Sequence, residues 1–437
     1  MNNILLSPFK LMFTDKSIPF DIVFFSILLV SIPIVLITGP AIPDIFLSLI
    51  ALHFLIKSFL QRQWSYYKNP IVFGFIIFCI YGVLRSLLSD IPLYSLTNEG
   101  SIFYFRYIFF AMGAWYLLDK NPYIPKCFII ISVSCLTLVI LDGTFQYFTG
   151  TNFFGNESIH KNRLTGFFGK EPIIGRYIAF LSIFTFALIY QNFKKTKKKM
   201  IFLIFFLVIC EVTVFLSGER SALLYIILFT ILLVIFMPYY RNYVIGSLLV
   251  SIILLLGIIQ INPSAKSRMF DTTIAQVSQT QYPYLPYSAH HEEHYIVALK
   301  MFIDKPIFGI GTNTFRAKCE YPEYYHKPYS CSSHPHNYYF QVLAELGIIG
   351  FSFLFAFFLY LSFIGIRQLF FIVVSNKSKQ TPIEILVYPM VLFIYWWPII
   401  PHMSFYNNWN NVLIMLPLGF FMKNYYGNKN NGYFNKI

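Results

Sequence analysis

Residues 200–239 read MIFLIFFLVICEVTVFLSGERSALLYIILFTILLVIFMPY, and this stretch decides the fold. It contains two apolar blocks separated by a short polar turn at 217–220. A helix rises ~1.5 Å per residue, so about twenty apolar residues cross the ~30 Å hydrocarbon core of a bilayer. The stretch therefore predicts two consecutive transmembrane helices.

Blocks of the same kind recur along the whole chain. The sequence is 57% hydrophobic and 12% charged, whereas about a quarter of the residues in a soluble domain are charged. This composition argues against a large soluble helical protein and predicts an all-α, polytopic transmembrane bundle of about twelve spans. The predicted spans are 20–39, 41–60, 70–88, 101–118, 127–148, 173–192, 200–217, 221–239, 242–261, 338–362, 383–401 and 408–422.

The run KKTKKK at 194–199 sets the predicted orientation. Five lysines in one short loop hold that loop in the cytoplasm. Alternation from there places both termini in the cytoplasm and makes 20–39 a retained first span rather than a cleaved signal. The net charge of +14 then reflects cytoplasmic loops and not a nucleic-acid partner. The predicted parts are 1–261 with nine spans, a large external loop at 262–337, three spans in 338–423 and a cytoplasmic tail at 424–437.

The external loop is too long to be a simple connection, and loops of such length are usually functional. Its pattern predicts one helix at 291–304. Cys319 and Cys331 lie twelve residues apart in this loop. An oxidising compartment would allow them to form a disulfide that pins the loop, and the alternative is two free thiols.

Basic side chains converge on the external face under this topology. Arg163 lies in the loop at 149–172, Arg220 opens the eighth span, and Arg268 follows the ninth. The planar guanidinium donates two hydrogen bonds to one phosphate, so these residues suit a lipid-linked pyrophosphate at the membrane boundary. Each arginine alone could instead snorkel or form an ion pair, as Arg220 could with Glu219.

The segment HPHN at 334–337 opens directly into the tenth span. His336 could accept a proton from a sugar hydroxyl, or could only anchor the span. Asn337 is predicted to cap the helix, and Gly347 and Gly350 to allow close helix packing.

A second group of histidines, HHEEH at 290–294, lacks the H-E-x-x-H spacing of a zinc site and is predicted to be a solvated surface. No phosphate-binding loop or dinucleotide motif is present, so neither a cofactor nor a metal is expected.

These motifs together resemble a known family. His336-Asn337, nine residues, Gly347, two residues and Gly350 resemble the H-N-x9-G-x-x-G signature of the bacterial O-antigen ligase family, whose domain is shared with some O-antigen polymerases. The order and separation of the supporting segments match the family from Arg163 to Gly350. Those segments are 163–169, 217–222, Arg268 and 305–311.

The resemblance implies a metal-independent glycosyltransferase at the periplasmic face of the bacterial inner membrane. Its donor would be an undecaprenyl-diphosphate-linked glycan, and the external loop would be periplasmic. Arg220 and Arg268, with Arg163 beside them, would bind the donor diphosphate, and His336 would activate the acceptor hydroxyl. The sequence departs from the usual pattern of the family at Glu219 and at the KEP sequence 170–172. Both departures bear on donor or acceptor details rather than on the broad class.

Several functions remain open. The leading hypothesis is a ligase that moves O-antigen to lipid A–core sugar. The rivals within the family are a polymerase with a lipid-linked glycan acceptor and a protein O-glycosylating transferase. A transporter of the lipid-linked sugar should show inverted repeats and polar residues at the bilayer midplane. Here the ionisable residues gather at the external boundary, which favours an enzyme.

Overall fold

The computed structural model describes residues 7–98, 101–160, 163–193, 196–261, 266–278, 288–328 and 330–427. Within these ranges the chain is helical, and its only extended pairing is one isolated bridge between Thr151 and Glu157. The predicted all-α class is confirmed. The helices are α1 Ser7–Thr14, α2 Phe20–Val30, α3 Ile32–Val35, α4 Ala41–Leu60, α5 Pro70–Leu87, α6 Pro92–Thr97, α7 Ser101–Lys120, α8 Ile124–Thr149, α9 Ile174–Asn192, α10 Lys197–Leu216, α11 Arg220–Phe236, α12 Arg241–Ile261, α13 Thr272–Ser278, α14 Ala289–Asp304, α15 Phe315–Lys318, α16 Tyr338–Val373, α17 Ile383–Tyr395 and α18 Asn408–Tyr426.

The protein is a multi-pass membrane protein. In the part of the chain that is described, eight helices are long and apolar enough to cross a bilayer, and a pair bent by 42° at 20–38 would make nine. Helices α11 and α17 are apolar but shorter, and α18 begins with three asparagines in its first four residues. A helix lies at each of the twelve predicted positions, but the count of twelve spans stays a prediction.

Two predicted boundaries change. The span predicted at 383–401 ends as a helix at Tyr395, because residues 396–407 form an irregular segment. The tenth span continues to Val373. The predicted helix at 291–304 is confirmed as α14. Lys194, Lys195, Asn262 and the end of the tail at 428–437 lie outside the described residues.

The core of the bundle lies along α9 and α7. Nearly every residue of α9 is buried, and α9 packs against α8, α10, α11 and α17. Helix α7 packs between α4 and α18. Helix α12 has few buried residues and lies at the periphery. The two central helices therefore provide the rigid frame on which the loops at one end are mounted.

Helix α16 is interrupted near its start. Gly347 adopts φ 63° and ψ −165°, a conformation inside the helix that breaks the hydrogen-bond ladder. The turn-rich segment 305–311 fills the break: the N–H of Ile310 donates to the carbonyl of Ala344 (3.0 Å), and the N–H of Ile348 donates to the carbonyl of Pro306 (2.9 Å). Segment 305–311 is thereby bound to the backbone of α16.

This break corrects the predicted role of the two glycines. A Cβ on Gly347 would meet the carbonyl oxygen of Ile307, and a Cβ on Gly350 would meet the side chain of Leu346 in the same helix. Neither glycine therefore serves packing between two helices. Gly347 is needed for its left-handed φ and for the close approach of segment 305–311.

We expect Gly347→Ala to lower the free energy of unfolding by about 1–3 kcal/mol from the backbone conformation alone. The measurement is the thermal unfolding midpoint of the detergent-solubilised protein. Gly365→Ala in the same helix is the matched control, because its nearest new contact is the Phe236 ring at 3.7 Å. Equal midpoints for the two variants would contradict the proposed role of Gly347.

Candidate functional site

His336 lies at the start of α16, held by backbone contacts on both sides. The side chain of Asn337 caps the helix, accepting from the N–H groups of Tyr339 (2.9 Å) and Phe340 (3.4 Å). His336 itself has φ 56°, a left-handed conformation that is uncommon outside glycine. Its carbonyl accepts the N–H of His402 at 2.8 Å. The segment before α16 is thus tied to the irregular segment 396–407.

Four histidines, His291, His294, His334 and His336, form what we call the histidine cluster. The ring centroids of the other three lie 5.4, 5.2 and 4.1 Å from that of His336, in that order. His294 and His334 are buried, whereas His336 is partly exposed. The prediction of a solvated surface at 290–294 is therefore wrong for His291 and His294, since α14 packs its aromatic face against α16.

Three members of the histidine cluster hold neutral imidazoles at neutral pH. Burial, together with the neighbouring histidines and Arg176, lowers the pKa of His336 to about 2. Burial also lowers the pKa of His334 to about 3 and that of His291 to about 4. A neutral imidazole keeps a lone pair, so His336, which is partly exposed, is able to accept a proton from a neighbouring hydroxyl.

The three predicted arginines lie together beside the turn at 217–220. Arg163 donates to the carbonyl of Pro172 (2.8 Å), and Arg268 donates to the carbonyl of Gly218 (3.3 Å). Arg220 donates to the side chains of Thr273 (2.9 Å) and Gln276 (2.7 Å) in α13 rather than to Glu219. The predicted alternative of a local ion pair for Arg220 is therefore wrong.

The charges of these arginines act on one another and on the histidine cluster. Burial, together with the charges of Arg220 and Arg163, lowers the pKa of Arg268 to about 10. The charge of Arg220 also contributes to the low pKa of His291. The arginines and the histidine cluster therefore lie within electrostatic range of one another at this end of the bundle.

Glu219, which departs from the usual pattern of the family, attaches the turn at 217–220 to α9. Its carboxylate is buried and accepts the N–H of Gly175 at 2.6 Å. Burial raises the pKa of Glu219 to about 7, while the charges of Arg163 and Arg176 oppose that rise. The acidic side chain is thus a structural acceptor at the start of α9, set among arginines.

Sequence reasoning missed two residues of the site, Arg176 and His402. Arg176 lies in the first turn of α9 and is only 7% exposed. His402 is fully enclosed and stacks on Tyr338 at 4.1 Å. An arginine inside the apolar block 173–192 was the available signal, because charges within membrane segments are costly and mark functional sites. No local pattern distinguished His402.

The disulfide between Cys319 and Cys331 closes a small loop directly before the histidine cluster. Next to it, the buried ammonium of Lys318 pairs with Asp90 at 2.6 Å. The disulfide and the ion pair together hold the chain before His334 against the end of α5. The described residues around this link are therefore held against the bundle.

An apolar groove runs along the bundle below the site. It has a volume of about 330 Å³ and is lined by α5, α16 and α18. Trp396 and Phe405 form part of its lining, and both rings lie 5.7 Å from Tyr338, the ring that stacks on His402. Aromatic rings of the groove lining therefore pack against the ring that contacts His402.

The site combines a concentration of positive charge with neutral imidazoles, so it is suited to holding an anion beside a proton acceptor. In the described ranges, no group of three or more His, Cys, Asp or Glu side chains is arranged to hold a metal ion.

Comparison with known proteins places this arrangement in a family. Residues 203–355 match the family described as O-Antigen ligase. The match contains Arg220, Arg268, His336, Gly347 and Gly350, and leaves out Arg163 and Arg176. No curated protein matches the chain. The match over residues 203–355 supports membership of the O-antigen ligase family, and it suggests a glycosyltransferase-like activity of the ligase or polymerase type.

Proposed function

We propose that the protein is an O-antigen ligase, which transfers a glycan from undecaprenyl diphosphate to a sugar hydroxyl of lipid A–core. One observation carries the proposal: Arg163, Arg220 and Arg268 lie together at the end of the bundle that also holds His336 and its neighbour His291, in a chain that matches the family over residues 203–355. The arginines bind the donor diphosphate, and His336 is the catalytic residue that takes the acceptor proton.

The donor end of the reaction needs positive charge. A diphosphate leaving group departs with negative charge, which fixed donors stabilise best in a site that excludes water. The three arginines are half-buried, and each donates to a carbonyl or side-chain oxygen that fixes its orientation. A phosphate can therefore be held by guanidinium groups that are already in place.

The acceptor end needs a base. The neutral imidazole of His336 accepts the proton as the acceptor oxygen attacks the sugar carbon. The low pKa of His336 comes first from burial and then from neighbouring groups that include Arg176, and a bound diphosphate anion would raise it. Donor binding thus makes His336 a stronger base when the reaction needs one.

The lipid part of the donor requires an apolar surface within the membrane. The groove along α5, α16 and α18 offers one, and Trp396 and Phe405 of its lining pack against Tyr338 next to the site. We assign the polyprenyl chain of the donor to this groove. Buried apolar area of this kind binds an isoprenoid chain without polar contacts.

The site faces the periplasm of the bacterial inner membrane in this proposal, and both termini are cytoplasmic. Asp15 pairs with Tyr123 (3.0 Å) and Lys423 pairs with Asp119 (2.8 Å), so both ends of the described chain meet the same α7–α8 junction. The lysines near both ends favour a cytoplasmic location for that junction. The disulfide fits an oxidising compartment on the opposite side.

Deletion of the gene separates the ligase from its rivals. We expect long O-antigen polymer to remain on the lipid carrier, because its transfer to lipid A–core is lost. Gel analysis of lipopolysaccharide and mass spectrometry of the lipid-linked pool measure this. Single repeats attached to the core would instead identify a polymerase, and unprocessed donor confined to the cytoplasmic leaflet would identify a transporter.

Substitution of the site residues tests the assignment of roles. We expect His336→Ala, Arg220→Ala and Arg268→Ala each to reduce transfer by about 10²–10⁴-fold in complemented deletion cells or purified protein. His290→Ala and Arg316→Ala change exposed residues of the same external segment and should retain wild-type transfer. Normal glycan with well-inserted His336→Ala protein would overturn the proposed site.

The arginines make a divalent cation unnecessary for charge neutralisation in this proposal. We expect purified protein to keep its transfer rate in excess EDTA, within about a factor of two. Addition of Mg²⁺ or Mn²⁺ after chelation should change nothing. A loss of activity in EDTA that Mg²⁺ restores would refute metal independence.

A further inference from the structure

Arg176 is a buried cation with unused hydrogen-bonding capacity. Its side chain is 7% exposed, and its Nη1 is buried without a hydrogen-bond partner among the described residues. A buried donor without a hydrogen bond is costly, because its lost hydration is not replaced. The charge of Arg176 acts on the nearby Glu219 carboxylate, but Nη1 can still donate to an anion that enters the site.

The position of Arg176 is fixed from two sides. The N–H of the preceding Gly175 donates to Glu219 at 2.6 Å, which anchors the start of α9 to the turn that carries Arg220. Phe180, one turn further along α9, contacts the Tyr225 ring at 4.9 Å, and Tyr225 faces His402 at 6.3 Å. Residues four apart share a helix face, so Arg176 projects toward the arginines and the histidine segment together.

The electrostatics agree with this placement. The charge of Arg176 opposes the raised pKa of Glu219 and contributes to the lowered pKa of Arg163. The charge of Arg176 also contributes to the lowered pKa values of His336 and His334. Arg176 is therefore within electrostatic range both of Arg163 and of the catalytic base.

The position of Arg176 matters because the two phosphates of the donor have different roles in glycan transfer. The acceptor oxygen forms a bond to the anomeric carbon while its proton passes to His336. The bond from that carbon to the phosphate oxygen breaks, and its electron pair leaves with the polyprenyl diphosphate. Because the anomeric carbon lies between the acceptor oxygen and the leaving oxygen, the sugar-bearing phosphate is the phosphate nearer to His336.

We propose that Arg176 binds the sugar-bearing phosphate and stabilises the leaving oxygen, while Arg220 and Arg268 hold the phosphate attached to the lipid. This inference rests on the proposed function and adds a catalytic residue that lies outside the region matched to the family. It also assigns the two phosphates of the donor to different arginines.

The test compares Arg176→Gln and Arg176→Lys with Arg316→Gln, an exposed control with the same loss of charge as the first variant. Purified proteins are assayed for transfer rate, and for the rise in thermal unfolding midpoint on addition of undecaprenyl diphosphate. We expect Arg176→Gln to reduce the transfer rate by about 10²–10³-fold and to abolish most of the midpoint rise. Arg176→Lys should keep part of the rise because it keeps the charge.

Two outcomes separate this inference from the proposed function. If Arg176→Gln transfers and binds like the control while Arg220→Ala does not, Arg176 has no role at the phosphate but the function stands. If wild-type protein neither binds undecaprenyl diphosphate nor needs His336, the proposed function itself fails.

A structure of the wild-type protein with undecaprenyl diphosphate decides the question even where the Arg176 variants do not fold. We expect the terminal phosphate, which corresponds to the sugar-bearing phosphate of the donor, within hydrogen-bond distance of Arg176. Both phosphates held by Arg220 and Arg268, away from Arg176, would overturn the inference.

Discussion

The arrangement of the site depends on the backbone pairing between segment 305–311 and the broken start of α16. This pairing holds the external chain at the membrane boundary, where Gly311 donates to the carbonyl of Glu345 at 2.9 Å. The Glu345 carboxylate extends the link by accepting the N–H groups of Asn313 (3.0 Å) and Phe315 (2.9 Å). Buried backbone donors must be satisfied within a membrane, so the external loop and the helix end fold as one unit.

This unit explains how a long polar loop becomes part of an active site. Helix α14 lies immediately before segment 305–311, so anchoring the segment also anchors α14 and places His291 and His294 against His336. On the far side, Arg85 donates twice to the carbonyl of Gly309, at 2.9 and 2.7 Å. The loop is therefore held between α5 and α16 by hydrogen bonds rather than by apolar packing alone.

The electrostatics of the site are unbalanced in the absence of a ligand. Four arginines adjoin a histidine cluster kept neutral by burial, and the acidic neighbour Glu219 has its pKa raised to about 7. Such an arrangement costs stability unless an anion enters. This excess of positive charge is the physical basis for expecting a diphosphate ligand, and for expecting proton affinity at His336 to rise when the ligand binds.

The sequence by itself determined the membrane class and the positions of the helices, because apolar block length and charge position are local properties. It also singled out Arg163, Arg220, Arg268 and His336, whose roles stay predictions. The disulfide between Cys319 and Cys331 and the helix cap at Asn337 were also within reach of local reasoning. Only the tertiary structure decided that α16 is broken at Gly347 and that His291, His294 and His402 adjoin His336. It also placed Arg176 within electrostatic range of both Arg163 and His336. Those features arise from contacts between segments far apart in the chain, which hydrophobic periodicity does not encode.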